Sequence, residues 1–196
     1  FLGTGSAMPV PDRAQTGLLL EADGRSLLVD CGSGVLGRLA GTDVGYEGVS
    51  SVLLTHHHLD HVSDLLALLK ARWLAGEEYL EVVGRTGTKS LLDGLLSVHD
   101  YLDGRVDLSV REVGPTEFSV AGFDVSATGT EHSMDCLAYR CAGADGDIVH
   151  SGDGDASAAL GSFADGAAGV AHHCACPHGG RACVPPTPAG PRHAGA

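Results

Sequence analysis

The stretch Ser51-Val52-Leu53-Leu54-Thr55-His56-His57-His58-Leu59-Asp60-His61 decides how the rest of the chain is read. Ser51–Thr55 is a short apolar run of the length and character of a buried strand. It runs directly into H-x-H-x-D-H, formed by His56, His58, Asp60 and His61. A strand end followed by a tight turn can aim alternate side chains at one point. His56 and His58 then face one side, while Asp60 and His61 turn toward a second point. Imidazole nitrogen and carboxylate oxygen are good ligands for zinc and similar divalent ions. With this composition the pattern arises by chance in roughly 0.3% of such chains. A solubilising or tag-like His run would sit at a terminus, without an apolar strand before it and a helix after it. His57 has no place in the pattern and is expected to point away.

Working outward, Val62, Leu65, Leu66, Leu69 and Trp73 fall at helical spacing, so a helix leaves the cluster. Upstream, Leu18–Ala22 and Ser26–Asp30 are apolar runs split by Asp23-Gly24, a strong hairpin signal. The loop Cys31-Gly32-Ser33-Gly34 and a short amphipathic stretch to Leu39 follow. Downstream, Tyr79–Val83 reads as a strand and residues 87–99 as a second helix. Leu108–Val113, Glu117–Val120, Phe123–Ala127, Leu137–Cys141 and Asp147–His150 read as strands, and Ala156–Ala164 as a weak helix. Strands in each half with helices beside them predict two sheets with helices packed outside.

Composition narrows the function classes. The chain has 196 residues, 25 acids against 12 bases, and a formal charge of −13. That balance argues against wrapping of DNA or RNA by a basic face, while leaving room for a local basic pocket for phosphate. No apolar run approaches the roughly 18 residues of a membrane span. No basic stretch followed by an apolar one opens the chain, so a cytoplasmic protein is expected. Asp outnumbers Glu and Arg outnumbers Lys, as adaptation to high salt or a GC-rich genome would give. All 25 acids lie in residues 1–165, which therefore carry −15 with ten of the bases. Residues 166–196 hold five of the eight Pro, three of the six Cys and four of the eleven His.

Residues 1–165 resemble the metallo-β-lactamase superfamily, most closely its ribonuclease Z and phosphodiesterase branch. Phe1-Leu2-Gly3-Thr4-Gly5-Ser6-Ala7-Met8-Pro9, with Arg13 beyond, is similar to that branch's opening strand and loop. Leu28-Val29-Asp30-Cys31-Gly32 matches its D-x-G turn, and His56, His58, Asp60 and His61 match its metal motif. Thr130-Glu131-His132-Ser133, with Ala138-Tyr139-Arg140, resembles the third His motif, and Ser151-Gly152-Asp153 the segment carrying a bridging carboxylate.

The resemblance implies an α/β, four-layer αββα sandwich with two divalent metal ions, Zn2+ in the first place and Mn2+ as the alternative. His56, His58 and His132 would hold one ion, Asp60 and His61 the other, and Asp153 would bridge them. Asp30 would orient the loop from behind the ligands. Asp60 would manage the proton of the attacking water, with His172 as a second catalytic residue. Ser133 and Arg140 would contact substrate phosphate. The implied activity is hydrolysis of a phosphodiester, either a small one or the 3′ end of an RNA as in tRNA processing. The family also implies a homodimer and no membrane. His150 and His99 are read as a strand residue and a surface residue.

The likeness thins in three places. Val62-Ser63-Asp64 replaces the Gly-Leu-Pro that often follows the metal motif, and no Gly/Pro-rich arm for clamping tRNA is present. In Val170-Ala171-His172-His173-Cys174, His172 falls on a family His and His173 where an acid is expected. Val184-Pro185-Pro186 stands where a further His would fall, and the family's final metal-binding His is missing. Residues 1–165 are thus expected to form the hydrolase domain. Residues 166–196 form an atypical tail, either a frame-disturbed end of a truncated domain or a structural zinc site drawn from the cluster His172, His173, Cys174, Cys176, His178 and Cys183. A thioester or lactone hydrolase and a non-catalytic metal-binding remnant stay open as alternatives.

Overall fold

The computed structural model describes residues 1–173. They form two compact units, Phe1–Val113 with Val120–Gly122, and Gly114–Ser119 with the chain from Phe123 onward. The Cys and His residues of the tail from Cys174 on lie outside the described residues.

The first unit holds a five-stranded sheet in the order β1 (Leu18–Ala22), β2 (Arg25–Val29), β3 (Ser51–Leu54), β4 (Tyr79–Gly84), β5 (Asp107–Glu112). β1 and β2 form the expected hairpin. Asp23 and Gly24 take φ of 52° and 73°, and primed turns of this kind match the twist of the strands they join. β2 to β5 are parallel. Parallel strands are connected by crossovers, here α1 (Val35–Leu39), α3 (Leu65–Leu74) and α4 (Thr88–Val98). Leu54, Val52, Leu28 and Leu80 pack with Leu65, Leu68, Leu69 and Leu92 in one apolar cluster. Each such fully buried Leu contributes about 2 kcal/mol of transfer free energy. All four residues of β3 are buried, which is why its sequence shows no alternation.

The helix expected after the His cluster is broken in two, α2 (Leu59–Val62) and α3, with Ser63-Asp64 between. Asp64 has other work at that point. Its Oδ2 accepts from Leu36 N–H of α1 at 3.0 Å, and its own N–H donates to Cys31 O at 3.0 Å. Arg72 of α3 is a charge inside the unit, only 2% exposed. It donates to the carbonyls of Tyr46, Glu47 and Tyr79 at 2.8, 2.6 and 2.9 Å, which fastens the loop before β3.

The second unit holds a sheet in the order β10 (Gly169–Ala171), β9 (Ile148–His150), β8 (Cys136–Cys141), β7 (Phe123–Thr130), β6 (Glu117–Val120). β7, β8 and β9 pair antiparallel, and β10 adds parallel to β9. The weak helix is α5 (Ala158–Phe163), capped by Ser157, whose hydroxyl accepts from Leu160 N–H at 3.1 Å. β7 runs three residues past the expected end, to Thr130, and so carries the chain directly to His132. No helix among the described residues is long and apolar enough to cross a membrane.

Candidate metal centre

In the first unit the parallel pairing of β2 with β3 ends both strands at one level. Val29 lies opposite Leu53, and Asp30 N–H donates to Leu53 O at 2.8 Å. Asp30 therefore meets Thr55, where both strands release their chains. This is the end of a parallel sheet at which ligands are generally bound. Asp30 sits at φ +60°, a left-handed conformation that Asp tolerates better than most residues.

The Asp30 carboxylate is fully buried and is the hub of the loop. Oδ1 accepts Thr55 N–H at 2.8 Å, and Oδ2 accepts the Thr55 hydroxyl at 2.8 Å and His61 Nδ1–H at 2.7 Å. Since the hydroxyl donates to Asp30, its oxygen accepts from His56 Nδ1–H at 3.0 Å. Both rings are thereby held in the Nδ1–H tautomer, with Nε2 presenting its electron pair. A carboxylate behind a ligand histidine fixes ring orientation and raises basicity in this way.

His56 Nε2 and His58 Nδ1 approach to 2.9 Å. Two nitrogens on one tetrahedral zinc lie about 3.3 Å apart, given Zn–N bonds of 2.0–2.1 Å. Asp60 Oδ2 is buried with no hydrogen-bond partner among the described residues, and lies 3.6 Å from His61 Nε2. An orphaned buried carboxylate oxygen is costly unless a cation completes it. The donor set and that orphan oxygen fit divalent metal. Gly32, the glycine of the D-x-G turn, is required by a close approach. A Cβ there would stand 1.9 Å from Asp60 O, so only a bare Cα lets the metal loop seat.

In the second unit, His132 Nε2 lies 3.9 Å from Asp153 Oδ2. The Thr130 hydroxyl donates to Asp153 O at 2.7 Å and joins the two loops. Side chains that could hold a metal ion are His56, His58, Asp60 and His61 in the first unit and His132 and Asp153 in the second. His172 is half-buried. Burial lowers its pKa first and the neighbouring His173 second, while Asp153 opposes them. It is His173 whose Nδ1 reaches Asp153 Oδ1, at 2.9 Å, and whose N–H donates to Ser151 Oγ at 3.1 Å. His150 is buried in β9 and His99 is exposed, as read from the sequence. Ser133 is exposed.

Arg140 lies on β8. Its Nε pairs with Asp147 at 2.6 Å, and its Nη1 donates to the carbonyls of Phe163 and Asp165, both at 2.9 Å. These bonds clasp α5 to β8.

Reading from the sequence passed over Thr55 and His57. For Thr55 a signal existed, a hydroxyl ending the otherwise apolar Val52-Leu53-Leu54. His57 does point away from the ligand pair, but not into solvent: its Nε2 meets Thr88 Oγ1 at 2.9 Å. Burial, and then Arg85, lower its pKa.

Solved structures share this fold, and curated sequences resemble this chain. The metallo-β-lactamase fold protein YhfI from Bacillus subtilis matches with a TM-score of 0.72 and 25% identity, over 86% of this chain and 67% of that one. Ribonuclease Z of Mycobacterium avium is 34% identical over 191 residues, 88% of this chain and 68% of that protein. Ribonuclease Z of Mycobacterium marinum is 38% identical over 147 residues, 60% of this chain and 53% of that protein. The chain has the metallo-β-lactamase fold and stands in its ribonuclease Z branch. It belongs to the family described as anti-Pycsar protein Apyc1, whose model matches residues 1–178. It spans about half the length of the first curated relatives it matches.

Proposed function

We propose that the chain is the metal-binding part of a metal-dependent hydrolase acting on phosphodiester bonds. The observation that carries this is the Asp60 carboxylate, buried with an orphaned Oδ2 beside His61 and the His56–His58 pair. Such a constellation costs free energy unless it holds cations. Family membership supports the ligand assignment: His56, His58 and His132 for one ion, Asp60 and His61 for a second, Asp153 shared. Zinc suits these donors first and manganese second. Bound ions would supply Lewis acidity and a water that loses its proton near neutral pH.

The chain's own residues do the rest. Asp30, through Nδ1–H of His61 and the Thr55 hydroxyl, holds two ligand rings in the tautomer that offers Nε2. Asp60 is the residue proposed to manage the proton of the attacking water. His172, whose pKa burial lowers, is proposed as the second proton-transfer group.

The charge of −13 favours a small phosphodiester over a folded RNA. The RNA 3′ end, after the names of the ribonuclease Z relatives, is the alternative. The test combines zinc content by mass spectrometry with hydrolysis of bis(p-nitrophenyl) phosphate by the full chain. Bound zinc and turnover that both fall in Asp60→Ala support the proposal. A wild-type chain refolded with zinc that retains less than about half an equivalent sinks the site.

A further inference from the structure

The residue between the two ligand histidines is left without a role by the metal pattern, yet it is anchored. β3 and β4 pair in parallel from Ser51 opposite Glu81 to Leu54 opposite Gly84. The chain leaving β3 therefore runs beside the turn Arg85–Thr88 that opens α4. His57 reaches into that turn. Its Nε2 lies 2.9 Å from Thr88 Oγ1, and Arg85 Nη1 lies 3.3 Å from its Nδ1. The Thr88 hydroxyl donates to Arg85 O at 2.7 Å, so its oxygen accepts and His57 Nε2 carries the hydrogen. A guanidinium only donates, so Nδ1 must accept. The three groups close a ring of hydrogen bonds that permits one tautomer of His57, opposite to that of His56.

The turn is itself held. Thr88 is fully buried and packs over Gly84, where a Cβ would stand 2.6 Å from its Oγ1. Glu112, at the end of β5, accepts the N–H groups of Gly87 and Lys89 through Oε1, both at 2.9 Å. His57 is thus tied to a braced element, while its chain neighbours His56 and His58 face the other way.

We propose that His57 is a positioning residue for the metal loop, fixing the backbone between His56 and His58 through Thr88 and Arg85 so that both ligand nitrogens converge. The proposal rests on the reading of His56 and His58 as ligands. Groups behind metal ligands typically change affinity 10–100-fold when removed. In the full chain, His57→Phe and Thr88→Val remove the hydrogen bonds at nearly constant shape, whereas His57→Gln and Thr88→Ser keep a donor and a hydroxyl. Zinc affinity, by competition with a chromophoric chelator, is expected to fall about tenfold in the first pair and to stay within about threefold in the second. The double variant His57→Phe/Thr88→Val should lose no more than either single change, since the two act as one unit.

Zinc affinity within about twofold of wild type in both His57→Phe and Thr88→Val overturns the proposal, as does simple additivity in the double variant. If His57→Phe does not fold, the Thr88→Val and Thr88→Ser pair gives the same comparison. Nitrogen NMR of the metal-free chain reads the tautomer directly, and His57 protonated at Nδ1 rather than Nε2 also overturns it. Measured alongside, His56→Ala separates the two readings: wild-type zinc affinity there removes the ligand assignment and this proposal with it. Loss of zinc in His56→Ala, with none in the His57 and Thr88 variants, removes this proposal alone.

Discussion

Replacing Asp30 tests the reasoning about the metal loop most severely. The carboxylate is fully buried and accepts three hydrogen bonds, from Thr55 N–H, the Thr55 hydroxyl and His61 Nδ1–H, at 2.8, 2.8 and 2.7 Å. Asp30→Ala leaves all three donors unanswered. Breaking a buried charged group's partnership costs about 3–5 kcal/mol, below the sum of three separate bonds because the donors relax together. Ala at φ +60° adds about 1 kcal/mol that Asp does not incur. The total, about 4–6 kcal/mol, corresponds to a fall in Tm of roughly 10–20 °C for a chain of this size.

Asp30→Asn is the finer probe, because Asn tolerates the same φ and keeps one carbonyl oxygen. Its amide must turn an N–H toward either Thr55 or His61, so one bond and the charge are lost, about 2–3 kcal/mol and roughly 5–10 °C. If that N–H faces His61, the ring is driven to the Nε2–H tautomer and its metal-facing electron pair is gone. Zinc affinity should then fall about 10–100-fold. The assays are thermal unfolding of the metal-free chain by circular dichroism and zinc competition with a chelator. An Asn variant within about 2 °C of wild type, with zinc affinity within about twofold, would refute the hub role of Asp30.

Two further outcomes follow from the geometry. In Gly32→Ala the new Cβ would stand 1.9 Å from Asp60 O and 3.0 Å from Gln15 Cβ. The Asp60 peptide must retreat by roughly 1 Å, at about 1–3 kcal/mol, and zinc affinity should drop with it. Unchanged Tm and affinity would show that the turn has room. Cys141 is pushed from 9.0 up to about 12 by burial, with Asp147 adding to it. The folded state therefore prefers the neutral thiol: this stability is intact below pH 9 and is lost as pH rises toward 12. By pH 10 the loss is about 1.4 kcal/mol. Urea unfolding at pH 8 and pH 10 should show a smaller decline in Cys141→Ala, and an equal decline in both chains contradicts the burial of the thiol. Burial raises Cys31 in the same sense.

The sequence alone determined what depends on neighbours along the chain. The His-x-His-x-Asp-His spacing, the Asp23-Gly24 hairpin and the apolar periodicities of α3 and α4 are short-range features, and each sits within a few residues of where it was read. The ligand set, Asp30 and the fold came from motif likeness, which is also a local comparison of strings. Tertiary structure decided what depends on strand register. Thr55 becomes a hub because β2 and β3 stop at one level, across 25 residues of sequence from Asp30. His57 gains its anchor because Leu54 lies opposite Gly84, across 31 residues from Thr88. Asp64 splits one expected helix into two because its carboxylate serves α1, and Arg140 meets Asp147 and the end of α5, partners that no simple sequence pattern joins to it. A sequence states which side chains can donate or accept. Only the packed chain decides which partner each one meets, and in this protein those meetings hold the ligand nitrogens in place.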